Sequence, residues 1–195
     1  MTRFVGLTGG IGAGKSEALA AFERRGVPVL STDRVAHDIL DDDQVREALI
    51  ERWGEDIARG GAVDRDKVGE IVFADRDELA WLESVTHPRV GVKVLEWRQG
   101  LGAETEIAVV EVPLLFEAAM EDAFDATLAV VAGDEVRDAR LRERGQAGLE
   151  GREDRQLAQA EKVRRADHVI RNDSSLEELD REVNALIDEL RQGGG

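Results

Sequence analysis

Eight consecutive residues, Gly9-Gly10-Ile11-Gly12-Ala13-Gly14-Lys15-Ser16, fit the pattern G-x-x-x-x-G-K-[ST], which binds the phosphates of ATP or GTP. The spacing has a chemical reason. Glycines let the backbone wrap a polyphosphate and aim consecutive N–H groups inward, which side chains would obstruct. Lys15 can then reach the β- and γ-phosphates, and the Ser16 hydroxyl can ligate a magnesium ion bridging them. A helix starting here adds its positive N-terminal end to the same anion.

Other residues could complete a phosphoryl-transfer site. Asp33 follows the apolar run Val27-Pro28-Val29-Leu30. It either caps a helix over residues 34–40 or presents a carboxylate to a hydroxyl, and the two roles are compatible. Glu111 lies near the end of Glu106-Ile107-Ala108-Val109-Val110-Glu111-Val112-Pro113 and is the candidate for helping to hold magnesium. A lone carboxylate buried on a strand is costly unless it is partnered. Leu114-Leu115-Phe116-Glu117 follows, apolar enough to line a pocket. Arg137, Arg140, Arg142 and Arg144, then Arg152, Arg155, Lys162, Arg164 and Arg165, concentrate positive charge around the loop at residues 145–151. This stretch reads as an arginine-bearing lid closing on ATP. The alternative is a pair of surface helices laced by ion pairs from Glu143, Glu153, Asp154 and Glu161.

These side chains need a frame that carries distant positions to one rim. Arg3-Phe4-Val5-Gly6-Leu7-Thr8 reads as a buried strand entering the phosphate loop, and Ala18, Leu19, Ala21 and Phe22 as a helix stopped at Gly26. Further strands are expected at 27–30, 106–113, 126–131 and 168–172. In an open parallel sheet ligands gather outside the carboxyl ends of such strands. Residues 43–103 read as mostly helical, with caps from the run Asp41-Asp42-Asp43 and from Asp64, and they fit an insertion. Within them Thr86-His87-Pro88-Arg89 predicts a break between two helices, because a residue before proline avoids helical backbone. Trp53, Trp81 and Trp97 are expected to pack inside this insertion. Ser175 with Glu178 predicts a capping box for a last helix over 176–191.

A chain of 195 residues with 42% hydrophobic content suits one globular domain with insertions. It has no cysteine, which excludes disulfides, zinc–thiolate sites and thiol catalysis. No apolar run approaches the roughly 20 residues that span a bilayer. No leader is expected either, since the phosphate loop begins almost at once, and a cytosolic enzyme fits. The net charge of −16 argues against nucleic-acid binding and requires cations concentrated where the phosphates sit. Expected partners are therefore a small-molecule substrate, with no nucleic acid and no membrane, for a monomer or small homo-oligomer.

A phosphate loop, rim carboxylates, a helical insertion and an arginine lid together describe a small-molecule kinase. The alternatives are a nucleoside monophosphate-type kinase, or a P-loop nucleotide switch or ATPase acting on a protein partner. The Asn-Lys-x-Asp guanine reader of GTPase switches is absent. The chain resembles the dephospho-coenzyme A kinase family over nearly its whole length. The resemblance is carried by Leu7-Thr8 with the phosphate loop, by Val27-Pro28-Val29-Leu30 leading to Asp33 and His37, and by Thr86-His87-Pro88. It continues through Val112-Pro113-Leu114-Leu115-Phe116-Glu117 and Ala166-Asp167-His168-Val169-Ile170-Arg171-Asn172.

The resemblance implies an α/β fold: a P-loop NTPase core with a five-stranded parallel sheet, a helical substrate-binding insertion and a helical lid. The core would be residues 1–42, 106–136 and 166–195, the coenzyme A-binding insertion 43–105 and the lid 137–165. It implies ATP-dependent phosphorylation of the ribose 3′-hydroxyl of dephospho-coenzyme A, with Mg2+. Asp33 would be the base, with Lys15 and Arg140 also catalytic. Gly10, Ile11, Gly12, Ala13, Gly14, Lys15, Ser16, Glu17, Arg144 and Asn172 would bind ATP. Thr8, Asp33, His87, Leu114, Leu115, Phe116 and Glu117 would border the acceptor, and Ser16 and Glu111 would meet the metal. The chain departs from the family pattern at Ser31, where a first Asp is usual, at Glu17 in place of Thr, and at Glu111 in place of Asp.

Overall fold

The computed structural model describes residues 1–143 and 156–193. Five parallel strands form one sheet: β1 (Arg3–Gly9), β2 (Val29–Ser31), β3 (Ile107–Glu111), β4 (Ala126–Val131) and β5 (His168–Arg171), in the order β2-β3-β1-β4-β5. Every residue of β3 and β4 is buried, the pattern of parallel strands covered on both faces. Leu7 pairs in register with Glu111 on one side and with Leu128 on the other, so β1 delivers its phosphate loop from the centre of the sheet.

The chain forms two compact units, residues Met1–Ser31 with Leu101–Gly195, and residues Thr32–Gly100. In the sheet unit, α1 (Lys15–Arg24) and α8 (Leu176–Gln192) cover one face. Phe22, Val183 and Ile187 meet the alternate strand positions Val5, Leu7 and Leu128 there. The opposite strand positions, Gly6 and Thr8, take the other face. A Cβ on Gly6 would stand 2.5 Å from Leu115, so the absent side chain is what lets the segment after β3 lie against β1. The sheet unit is completed by α6 (Asp134–Glu143) and α7 (Gln159–Arg165). Ser175 Oγ accepts the Glu178 N–H at the start of α8, while the Glu178 carboxylate pairs with Arg181.

The helical unit holds α2 (Thr32–Ile39), α3 (Asp43–Trp53), α4 (Arg65–Ala74) and α5 (Arg76–Gln99) around its own core of Ile39, Val45, Leu49, Val68 and Val72. The acidic run has structural work here. Asp42 caps α3 by accepting the Gln44 N–H, and Asp41 accepts the Val63 N–H and pairs with Arg65. The Val63 N–H, then Arg65, hold the Asp41 carboxyl below its usual range. Asp64 caps α4 on the Lys67 N–H, as expected. Trp53 and Trp81 meet edge to face at 5.1 Å, with Arg52 over Trp81.

The expected break at His87-Pro88 is not there, because α5 runs unbroken from Arg76 to Gln99 with Pro88 inside it. Pro88 removes the helical N–H partner of Ser84 O, and side chains bond carbonyls on either side of it: Thr86 Oγ1 donates to Leu82 O and Arg89 Nη1 to Val85 O. Asp33 is also not a cap. The helix begins at Thr32, and Asp33 is an exposed residue of its first turn. No helix among the described residues is long and apolar enough to cross a membrane.

Two carboxylates finish the sheet's hydrogen bonding near strand starts. Asp125 accepts the Phe4 N–H, and Asp167 accepts both the N–H and the hydroxyl of Thr127. Burial alone would raise the Asp167 carboxyl, but the two Thr127 hydrogen bonds and the neighbouring His168 outweigh it and the net shift is downward. A lowered folded value means its stabilisation is complete above the ordinary carboxylate range and is lost as pH falls through the lowered value. Urea midpoints taken from neutral pH into acid should therefore show a shallower acid limb for Asp167→Asn than for the unaltered chain. Phe22→Ala, which empties a fully buried site between α1 and the sheet, should cost about 3–5 kcal/mol in the same urea measurement.

Candidate functional site

The site forms where β1 turns into α1. Gly12 and Gly14 take left-handed backbone, with φ of 75° and 89°. Gly14 is the N-cap of α1, and no side chain caps that end. Five consecutive carbonyls of the loop are held by side-chain donors. Lys15 Nζ donates to Gly9 O and Gly10 O, both at 3.2 Å, and Arg137 Nε donates to Ile11 O at 2.8 Å. Arg140 Nη1 reaches Gly12 O at 3.5 Å and Ala13 O at 3.4 Å, and Asn172 Nδ2 donates to Ala13 O at 3.0 Å. Arg140 Nη2 also donates to Asn172 Oδ1 at 3.2 Å. In a trans peptide N–H and C=O point opposite ways, so holding these carbonyls also fixes the N–H groups of residues 10–14, of which that of Ala13 donates to Gly10 O. Successive N–H groups held in this way are the feature an anion site needs.

Each donor is delivered by a different element. Arg137 and Arg140 are one turn apart on α6, so both face the loop. Asn172 follows β5, is 4% exposed, and is anchored by its own N–H on Val131 O. A Cβ on Gly14 would stand 2.1 Å from Asn172 Nδ2, so glycine is required there both by space and by φ. Arg137 is expected only as one of the lid arginines, with no role of its own at the loop. Its one-turn spacing from Arg140 was the available signal. Arg144 lies outside the described residues.

Ser16 is exposed at the start of α1. Glu17 accepts from Arg24, two turns down the helix, which draws its carboxylate away from the loop. Glu111 ends β3, 5% exposed, between its register partners Leu7 and Ser31. The Ser16 hydroxyl and the Glu111 carboxylate are the hard oxygen donors that magnesium takes. Among the described residues no group of three or more His, Cys, Asp or Glu gathers.

Thr8 is fully buried, its hydroxyl donating to Pro113 O at 3.0 Å. Leu115 and Phe116 are buried in the sheet unit, with Arg165 stacked on the Phe116 ring at 4.8 Å, while Leu114 is half-buried. Glu117 pairs with Lys162, which is wholly buried and which the sequence pattern had grouped with the lid cations. The structure thus brings the phosphate loop, Thr8, Glu111, residues 114–117, Arg140 and Asn172 into one unit. Asp33 and His87 belong to the helical unit, where both are exposed, on α2 and α5.

Comparison with known proteins supplies the chemistry's context. A family model described as dephospho-CoA kinase matches residues 3–178. The chain is 39% identical to the dephospho-CoA kinase of Streptomyces avermitilis over 192 residues, covering 95% of this chain and 93% of that one. It is 37% identical to that of Thermosynechococcus vestitus over 197 residues, covering 97% and 96%. The solved structure of the dephospho-CoA kinase from Campylobacter jejuni superposes with a TM-score of 0.74 at 29% identity, covering all of both chains.

Gly14→Ala tests the loop directly. The new methyl must displace Asn172 and occupy left-handed backbone, so calorimetric titration with ATP should show affinity lowered by roughly tenfold or more, with a stability cost of about 1–3 kcal/mol.

Proposed function

The chain belongs to the dephospho-CoA kinase family and transfers a phosphoryl group from ATP to dephospho-CoA in coenzyme A biosynthesis, and from that premise we propose how its residues share the work. The ribose 3′-hydroxyl is the acceptor, and coenzyme A and ADP are the products. The observation that carries this division of labour is the phosphate loop whose carbonyls from Gly9 to Ala13 are all engaged by Lys15, Arg137, Arg140 and Asn172.

Residues 10–17 bind the triphosphate through loop N–H groups other than those of Ala13 and Glu17, which bond Gly10 O and Gly14 O. Lys15 leaves its resting contacts on Gly9 and Gly10 to follow the β- and γ-phosphates. Arg140 stabilises charge on the transferring group, and Asn172 keeps both Arg140 and Ala13 in place beside the nucleotide. Ser16 and Glu111 would hold a magnesium ion, which would supply neutralising charge to the triphosphate. Asp33 orients the acceptor hydroxyl and takes its proton. In a loose transition state the hydroxyl needs little activation, so positioning is the larger part of this role. Thr8, His87 and residues 114–117 border the acceptor. Residues 1–42, 106–136 and 166–195 serve the nucleotide, 43–105 the coenzyme A portion, and 137–165, with Arg144, serve as the lid, anchored at its α7 end by the buried Lys162.

A coupled ADP-release assay tests the reaction, with dephospho-CoA set against AMP, shikimate and pantothenate. Release should depend on dephospho-CoA, whereas dependence on AMP would replace this reading with a nucleoside monophosphate kinase, and release without acceptor with an ATPase. Asp33→Asn should remove most turnover while calorimetry still registers ATP. Near-normal turnover would remove Asp33 from the mechanism. Arg140→Ala should lower kcat roughly 10²-fold with less effect on acceptor KM, the magnitude typical of a lost charge-stabilising donor.

A further inference from the structure

Lys162 lies on the seven-residue helix α7, and its side chain is wholly buried. A buried ammonium costs several kcal/mol unless it is matched by acceptors. Its surroundings match it: Nζ lies 2.9 Å from Glu117 Oε1, 3.1 Å from Pro113 O and 3.5 Å from Thr8 Oγ1, three acceptors for three N–H donors. Glu117 Oε1 also accepts the Leu157 N–H at 2.8 Å.

The three acceptors are not a random set. Thr8 is the residue before Gly9, where the phosphate loop opens. Pro113 is two residues past Glu111, and Val112 N–H bonds Leu7 O between the two strand ends. One ammonium therefore ties together the ends of β1 and β3, which carry the loop and the carboxylate offered to the metal. The same short helix reaches the loop a second time. Gln159 exchanges hydrogen bonds with the N–H and C=O of Ala132, and its Cγ stands 3.3 Å from where a Gly10 Cβ would be.

Stability alone does not explain such a pair, since buried ion pairs can often be replaced by uncharged side chains at little cost. Fixed geometry is what they provide. We propose that Lys162 is a positioning residue for phosphoryl transfer: through Thr8, Pro113 and Glu117 it sets the register of the phosphate loop against the end of β3. The effect on turnover rests on the kinase reading above, whereas the effect on the loop does not.

The test is the double variant Lys162→Met with Glu117→Gln, which removes both charges and keeps an oxygen for Leu157 N–H. It should melt within about 5 °C of the unaltered chain, since no unpaired charge is left buried. Amide hydrogen exchange at residues 9–16 should nevertheless quicken about tenfold, while amides of α8 on the opposite face keep their rates. With dephospho-CoA, kcat should fall about tenfold or more and KM for ATP should change less than about threefold, the pattern of misplaced reacting groups. Unchanged exchange at residues 9–16, or an unaltered kcat in the folded double variant, overturns the proposal. If the unaltered chain shows no dephospho-CoA-dependent ADP release, the kinase reading fails and the exchange comparison still decides the role of Lys162. Should the double variant not fold, Thr8→Val removes one acceptor at nearly constant volume. Faster exchange at residues 9–16 in that variant supports the role, and unchanged exchange rejects it.

Discussion

The C=O and N–H of a peptide group point opposite ways, so whatever holds the carbonyls of the phosphate loop also sets the direction of its N–H groups. Five consecutive carbonyls, from Gly9 to Ala13, are engaged by donors from Lys15, Arg137, Arg140 and Asn172. The rest of the sheet unit serves to bring those donors to one place. In a chain of net charge −16 this concentration matters, because a polyanionic nucleotide would otherwise meet a repelling surface.

Parallel strands buried on both faces make the arrangement rigid. β1 stands in the middle of the sheet, so its loop emerges flanked by β3 and β4 and next to the ends of both. The two faces are used differently. The α1 and α8 face is an apolar core, while the α7 face carries the buried polar group of Lys162, Glu117, Thr8 and Pro113 directly behind the loop. The helical unit has a core of its own, and its acidic run is spent on caps and loop ties through Asp41, Asp42 and Asp64.

Much of this was legible one residue at a time. The strand before Gly9 and the helix after Ser16 follow from hydrophobic periodicity, and the pattern of Gly, Lys and Ser identifies their junction. All five strands stand within a few residues of their expected positions, because continuous apolar runs bounded by turn residues favour strands buried on both faces. The helix through Pro88 was not legible. Local preference before proline argues for a break, yet α5 packs along α2 and α4 in the helical unit and runs through Pro88 unbroken. Lys162 was not legible either. In sequence it is one more cation in a basic stretch, and nothing local distinguishes a solvated lysine from a buried one.

The sequence by itself determined what depends on neighbours along the chain: the loop's chemistry, the strand and helix periods, the caps at Asp42, Asp64 and Ser175, and the family resemblance spread across its motifs. Tertiary structure alone decided what depends on partners far away in sequence. It set Arg137 and Arg140 on carbonyls more than a hundred residues earlier in the chain, put Asn172 against Gly14, and buried Lys162 among Thr8, Pro113 and Glu117. The physical reason is that burial and hydrogen-bond partnership are properties of the packed sheet, and no stretch of chain contains both members of these pairs.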